Sequence, residues 1–239
     1  MAVADKVKSI IVEQLGVDPG FRWVNDFLGP DPDERQTRAV VDGLPDGLRA
    51  EVPPDLAVAL ADLLVSGRVV GISQGRSESG PRALGNRSIL ADPRNPEMQR
   101  FINSRVKGRE WFRPLAPIVL QEEAPRFFDI QGAAPFMQFA SAVRPDCRSY
   151  LPAVTHVDGS ARIQTVDREN TPLLHDLLKA FEARTGCPVL LNTSLNGEGQ
   201  PLVETPEDAV HCLLTTDMHA LAMPPYLIRK IEEPELPGR

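Results

Sequence analysis

The sequence contains few of the residues on which several classes of protein depend. Of its 239 residues only three are cysteine and four are histidine, and aromatic residues make up 5%. The cysteines are widely spaced without a C-x-x-C pair, which predicts reduced thiols in a cytoplasmic protein. No two histidines have H-x3–5-H spacing, so we expect no metal site built by this chain alone. No apolar run approaches ~20 residues and the N-terminus has no signal-peptide core, so we also expect no membrane contact.

Sequence patterns typical of two common chemistries are also missing. There is no G-x4-GK[ST] segment, so an ATP site here would not be of the Walker type. There is no G-x-S-x-G segment either, which argues against a serine hydrolase. The chain carries a net charge of −7, and this acidity argues against a general nucleic-acid-binding protein.

The basic residues are concentrated in one segment, residues 76–113. This segment carries +5 while the whole chain carries −7. Arginine presents a planar fork of donors that fits phosphate and carboxylate oxygens. Gly75, Gly80 and Gly85 allow backbone N–H groups to approach an anion closely. The segment therefore predicts a binding site for a small, multiply charged phosphate compound.

The remaining pattern predicts an α+β fold with a mixed sheet, because strands and helices do not alternate regularly. Predicted helices are 54–67, 171–185 and 206–214, and predicted strands are 68–73, 117–120, 138–143, 162–166, 189–192 and 226–231. Strand 68–73 would deliver the arginine segment at its carboxyl end, where phosphate sites often form. Residues 1–50 are predicted to hold an amphipathic helix (3–15) and a linker (16–35), and residues 51–239 the main domain. The helix could dock a partner or fold back onto its own domain.

Several blocks of the sequence resemble one known family. They are GR-x-E-x-GPRALGNRSILADPR (75–94), K-x-RE-x-FRP-x-AP (107–117), AVTHVDGSARIQTV (153–166), PVLLNTSLN (188–196) and PLVETPEDAVHCLLTTDMHAL (201–221). In this order they resemble the C-terminal domain of the NodU/CmcH/TobZ-type O-carbamoyltransferases. The resemblance runs from about residue 25 to residue 230. It implies a YrdC-like fold, a twisted mixed sheet with flanking helices and a basic concave face.

The resemblance also implies a set of site residues for carbamoyl phosphate and ATP, the ATP accompanied by Mg²⁺. Handling a carbamoyl group on phosphate requires cations that neutralise phosphate oxygens and polarise a carbonyl. The expected catalytic residues are Arg82, Lys107 and Arg113. The expected substrate-binding residues are Arg76, Arg82, Lys107, Arg113, Arg162, Asn192, Thr193 and Ser194. From the residues alone, 192–194 could equally be an Asx or ST turn, and the resemblance favours the site.

The remaining charged residues near these blocks are given weaker assignments. We expect structural or solvated roles for Arg94, Arg100 and Arg105, on or near a predicted helix. The carboxylates considered as Mg²⁺ partners are Glu78, Asp92, Asp158 and Asp167. The alternative for the candidate arginines is that some of them only pair with Glu78, Asp92, Glu110 or Asp167.

Full-length members of the resembled family also carry a large, metal-binding N-terminal half. The present sequence begins about two dozen residues before the resemblance. We therefore expect a subunit of a split carbamoyltransferase of natural-product biosynthesis, which forms carbamoyl-adenylate. A partner subunit resembling the other half would transfer the group to a hydroxyl or amine. Two alternatives stay open. One is an RNA-binding module, disfavoured because few aromatic residues, such as Trp111 and Phe112, stand among the arginines of the basic segment. The other is a non-catalytic subunit that binds a nucleotide.

Overall fold

The computed structural model describes residues 26–80 and 82–238, and its largest feature is a mixed sheet. The strands of this sheet are β1 (Leu48–Glu51), β2 (Val70–Ser73), β3 (Arg87–Ala91), β4 (Ala116–Leu120), β7 (Gln164–Val166), β8 (Val189–Ser194), β9 (Ala220–Met223) and β10 (Tyr226–Lys230). Their order is β1-β10-β9-β2-β3-β8-β4-β7. Neighbours are antiparallel except for the parallel pairs β2–β9 and β4–β7. A small separate sheet pairs β5 (Ala140–Ala142) with β6 (Ser160–Arg162).

Helices flank the main sheet, and their ends follow from local sequence. They are α1 (Glu34–Asp42), α2 (Leu56–Val65), α3 (Met98–Phe101), α4 (Ala124–Phe127), α5 (Pro172–Thr185) and α6 (Pro206–Thr215), with a π-helical turn Ile102–Val106 after α3 and a 3₁₀ turn Pro145–Cys147. Asp33 and Thr205 cap α1 and α6 in capping boxes. Helix α5 ends at Gly186, which has the left-handed φ of 72°. Helices α2 and α5 pack against each other, and both contribute to the core.

The strand directions bring several loops together at one edge of the sheet. Strand β8 is antiparallel to β3 and β4, and β3 is antiparallel to β2. The carboxyl ends of β2 and β8 therefore share an edge with the amino ends of β3, β4 and β7. Four parts of the chain reach this edge: loop 74–86, the segment before Ala116, Arg162, and the residues that follow Ser194. Blocks that are far apart in the sequence can thus build one site.

The predicted fold class, α+β with a mixed sheet and flanking helices, is confirmed. The predicted helices and most predicted strands coincide with observed elements. The predicted strand 162–166 is instead divided: Ile163 separates β6 from β7, which lie in different sheets. The elements that were not predicted include α1, α4, β1, β3 and β9. Strand β3 lies inside the basic segment, where a strand of five buried residues forms between β2 and β8.

The observed elements also bear on the predicted division of the chain. Strand β1 crosses the predicted boundary between residues 50 and 51, and its pairing with β10 places residues 48–50 in the main sheet. Helix α1 begins at Glu34, so it overlaps only the last two residues of the predicted linker (16–35). The predicted helix 3–15 lies outside the described residues. A docking function for residues 1–50 stays a prediction.

The cysteines and the helices bear on two expectations from composition. All three cysteines are free thiols. Burial raises the pKa of Cys187 and of Cys212 to about 11, so both thiols are protonated and unreactive at neutral pH. Among the residues that the structure describes, no helix has the length and apolar character needed to cross a membrane.

Candidate functional site

A polar cleft lies at the edge of the sheet where these loops meet. Its cavity volume is about 130 Å³. Its polar lining consists of Arg82, Arg109, Arg162, Asn192, Thr193 and Ser194. Among the described residues, no acidic side chain lines it. A cleft with three guanidinium groups and no carboxylate favours an anionic ligand.

Arg162 is the residue whose environment most clearly calls for an anion. It ends strand β6, and its Nε is buried without a hydrogen-bond partner among the described residues. Burial, and then the charge of Arg82, lower the pKa of Arg162 from its usual value. An unpaired, partly buried guanidinium is costly unless a ligand compensates its charge. The cleft is therefore arranged to hold negative charge near Arg162.

Two further arginines flank Arg162 in the cleft. Arg82 is exposed and, among the described residues, forms no ion pair or hydrogen bond of its side chain. Arg109 is half-buried, and its Nε donates to Oδ1 of Asn103 at 2.8 Å. Burial, and then the charge of Arg113, lower the pKa of Arg109. Arg109 was not among the predicted site residues, although it stands in the quoted K-x-RE block.

Asn103 organises the loop that carries Arg109, and sequence reasoning missed it. Its side chain is fully buried in the π-helical turn. Nδ2 donates to the backbone oxygens of Trp111 and Arg113, each at 2.9 Å, while Oδ1 accepts from Arg109. The signal in the sequence is an asparagine between the buried apolar residues Ile102 and Val106, because a buried amide requires partners.

Lys107 holds the loop that follows β8. Its Nζ donates to the backbone oxygen of Ser194 at 2.8 Å, to Ser194 Oγ at 3.1 Å and to the backbone oxygen of Asn196 at 3.0 Å. It also contacts Asn196 Oδ1. Burial, and then the charge of Arg109, lower the pKa of Lys107 to about 7. Lys107 does not line the cleft, and its predicted catalytic role stays a prediction.

Asn192 ties the arginine loop to the sheet. Its Nδ2 donates to the backbone oxygen of Ala83 and to Oε1 of Gln164, both at 3.0 Å. Gln164 Nε2 in turn donates to the backbone oxygen of Leu84 at 2.7 Å. Asn192 Oδ1 is buried without a partner among the described residues and is therefore an acceptor available to a ligand.

Glu78 shapes the arginine loop from inside. Its Oε1 accepts the backbone N–H groups of Leu84 at 2.7 Å, Asn86 at 2.8 Å and Arg87 at 3.1 Å. Arg87 is itself fully buried, with its guanidinium bonded to backbone oxygens that include those of Gln74 and Gly75. Glu78 is thus part of the loop's own hydrogen bonding, which folds the loop over the edge of the sheet.

The other carboxylates considered for Mg²⁺ are also engaged locally. Asp92 pairs with Arg94, Asp158 accepts from Ser160, and Asp167 accepts from Asn170. Within the described part of the chain, no three His, Cys, Asp or Glu residues are grouped so as to hold a metal ion.

Besides Lys107, two predicted site residues lie outside the cleft lining. Arg76 donates to the backbone oxygens of Leu28 and Gly29, at 3.1 and 3.0 Å. Arg113 is exposed and pairs with Glu110 at 2.8 Å. The structure therefore brings together five of the predicted residues: Arg82, Arg162, Asn192, Thr193 and Ser194. The functional assignments of all of them stay predictions.

Comparison with known proteins identifies the family. Residues 61–230 match the model of the carbamoyltransferase C-terminus family. The chain belongs to this family. It is 44% identical to nodulation protein NolO of Bradyrhizobium diazoefficiens over 216 residues, which is 89% of this chain and 39% of that protein. It is 50% identical to nodulation protein NolNO of Sinorhizobium fredii over 179 residues, 74% of this chain and 26% of that protein.

These relatives confirm the resemblance found in the sequence. Nodulation protein U of Rhizobium tropici is 43% identical over 162 residues, covering 68% of this chain and 28% of that protein. The chain thus spans well under half the length of these relatives. Among solved structures, full-length HypF in its phosphate- and nucleotide-bound form gives a TM-score of 0.48 at 13% identity, over 78% of this chain and 23% of that chain. A likeness of that degree implies nothing about function.

Proposed function

We propose that this carbamoyltransferase-family domain binds carbamoyl phosphate and ATP and forms carbamoyl-adenylate. The observation that carries the proposal is Arg162, whose guanidinium faces a cleft with two other arginines. Its buried Nε has no hydrogen-bond partner within residues 26–80 and 82–238. Anhydride chemistry on phosphate proceeds mainly by positioning and by neutralising developing charge. A cleft of this composition supports those two requirements.

The proposed reaction has two balanced parts. Water converts carbamoyl phosphate to carbamate and phosphate. A carbamate oxygen then attacks the α-phosphorus of ATP, the bond to the bridging oxygen breaks, and pyrophosphate leaves with the electron pair. Carbamoyl-adenylate and pyrophosphate are the products. Both parts place anionic oxygens at Arg82, Arg109 and Arg162, which would neutralise charge on the substrates and on the leaving groups.

The neutral groups of the cleft would complete the binding of the substrates. Thr193 and Ser194 supply hydroxyls, and Asn192 supplies an amide oxygen that has no hydrogen-bond partner in the described part of the chain. A carbamoyl amino group is a donor and matches that oxygen. Mg²⁺ would enter with ATP, held mainly by phosphate oxygens and water, which is its usual mode of binding.

The transfer step is assigned in this proposal to a separate subunit. That subunit would resemble the part of the longer relatives that this chain does not match. Carbamoyl-adenylate is a mixed anhydride and hydrolyses in water, so transfer to a hydroxyl or amine requires a path closed to solvent. We place both subunits in the cytoplasm, where ATP and carbamoyl phosphate are present, acting on a natural-product acceptor.

The test is pyrophosphate release by the purified protein with ATP, Mg²⁺ and carbamoyl phosphate. We expect release only when both substrates are present, and its loss in Arg162→Gln. Formation of ADP in place of pyrophosphate would overturn the adenylate step. ATP binding without turnover, with or without a candidate partner, would favour the nucleotide-binding subunit. Salt-dependent RNA binding that competes with ATP would favour the RNA-binding module.

A further inference from the structure

Trp111 and Phe112 are two large aromatic side chains exposed side by side on one loop. Their exposed fractions are 59% and 61%. The ring centroids are 5.8 Å apart and the planes meet at 87°, an edge-to-face pair. In a chain with only 5% aromatic residues, a pair that leaves so much ring surface in water contributes little to the core. A large exposed apolar surface of this kind marks a binding site.

The pair lies beside the arginine cleft. Arg109, two residues before Trp111, and Pro114, two residues after Phe112, both line the cleft. The loop is not free to move independently, because Asn103 Nδ2 holds the backbone oxygens of Trp111 and Arg113 at 2.9 Å. The backbone that carries the two rings is therefore held next to a cationic cleft.

We infer that Trp111 and Phe112 form a platform on which the base of the bound nucleotide stacks. The inference rests on the proposed function, since it names where the base of ATP goes when its phosphates occupy the cleft. A nucleotide joins an anionic chain to a flat π-system, and here an aromatic pair adjoins a cluster of guanidinium groups. Base stacking on aromatic side chains accepts any base, so the platform adds affinity for a nucleotide over a bare polyphosphate.

The test compares ATP with inorganic tripolyphosphate, which has the charge but no base. We expect Trp111→Ala and Phe112→Ala each to weaken ATP binding about 10-fold or more while tripolyphosphate binding changes less than about 2-fold. Ile231→Ala is the matched control, because Ile231 is 62% exposed and follows β10 at the opposite end of the sheet order. In a Trp23→Phe background Trp111 is the only tryptophan, and ATP but not tripolyphosphate should quench its fluorescence.

The outcomes separate this inference from the proposed function. If ATP and tripolyphosphate bind equally well and neither alanine variant alters ATP binding, the platform is wrong while the anion cleft stands. If the variants weaken both ligands equally, the rings act only through the shape of the cleft and the inference is also overturned. Loss of partner docking with unchanged ATP affinity would make the pair a protein interface instead. If neither ligand binds wild-type protein, both the inference and the proposed function fail.

Discussion

Lys107 Nζ donates a hydrogen bond to the backbone oxygen of Ser194 at 2.8 Å, although the two residues are 87 positions apart in the chain. The same amine reaches Asn196. One side chain thus joins the loop that carries Arg109 to the end of β8, which carries three cleft-lining residues. Because its donors are occupied by protein oxygens, Lys107 acts on the cleft in this structure through the position of Ser194.

Replacing Arg162 should weaken anion binding without harming the fold. We expect Arg162→Gln to lower affinity for pyrophosphate about 10- to 100-fold, since one charge-assisted hydrogen bond contributes ~1.5–3 kcal/mol. Thermal stability should be unchanged or slightly higher, because an unpaired, partly buried charge is removed. Calorimetric titration and thermal melting measure the two effects. Arg168→Gln is the control, since Arg168 forms an exposed ion pair with Asp176 at 3.4 Å. Equal affinity of wild type and Arg162→Gln for pyrophosphate would show that Arg162 does not bind the anion.

Lys107 should make stability depend on pH above neutrality. Its pKa is about 7 in the folded protein against 10.5 as the ordinary value. Between these two values the unfolded chain holds one more proton than the folded chain, so the free energy of unfolding rises with pH. The difference in unfolding free energy between wild type and Lys107→Met should grow by ~1 kcal/mol per pH unit from pH 7 to 9.

Urea unfolding at pH 7, 8 and 9 measures this difference. The comparison with Lys107→Met removes contributions that the two proteins share, such as those of the buried thiols. A difference that stays constant across these pH values would show that Lys107 keeps its proton in the folded protein.

Removing the Glu78 carboxylate should destabilise the arginine loop. Three backbone N–H groups share its Oε1, and a buried donor left without an acceptor costs ~1–3 kcal/mol. We expect Glu78→Ala to lower the free energy of unfolding by ~2–4 kcal/mol, and Glu78→Gln to cost less because an acceptor oxygen remains. Chemical denaturation gives both values, with the exposed Glu169→Ala as reference. Equal losses in the two Glu78 variants would mean that the acceptor is not what matters.

Gly85 should be intolerant of any side chain. Its φ is +119°, and a Cβ there would lie 2.1 Å from Leu174 Cδ1 in helix α5. Gly132 has φ +82° but no heavy atom within 4 Å of such a Cβ. Gly132→Ala therefore measures backbone strain alone, ~1 kcal/mol, and Gly85→Ala should cost ~2 kcal/mol more because packed atoms must move. Thermal melting compares the stability of the two variants. Similar losses of stability would show that Leu174 in helix α5 moves aside at little cost in free energy.

Helices α2, α5 and α6 and most strands of the main sheet were predictable because their signals are local. Strand β8 begins as an uninterrupted buried run at Val189, and α6 begins with Pro206 after a Thr205 cap. Strand β3 was missed for the opposite reason. Its first residue, Arg87, is a charged side chain that is fully buried. Backbone oxygens that include those of Gln74, Gly75 and Glu204 make that burial tolerable.

The sequence alone determined the family, the arginine-rich segment and the position of that segment after β2. Charge, glycine content and motif order can all be read along the chain. The sequence did not determine which arginines face the cleft. Arg109 and Arg113 stand four residues apart in one loop, yet Asn103 turns Arg109 into the cleft while Glu110 pairs with Arg113 outside its lining. The local sequence gives no basis for distinguishing the two guanidinium groups. They differ because a guanidinium points to the partners that the fold provides, and the buried Asn103 is such a partner only once the π-helical turn has placed it under the loop.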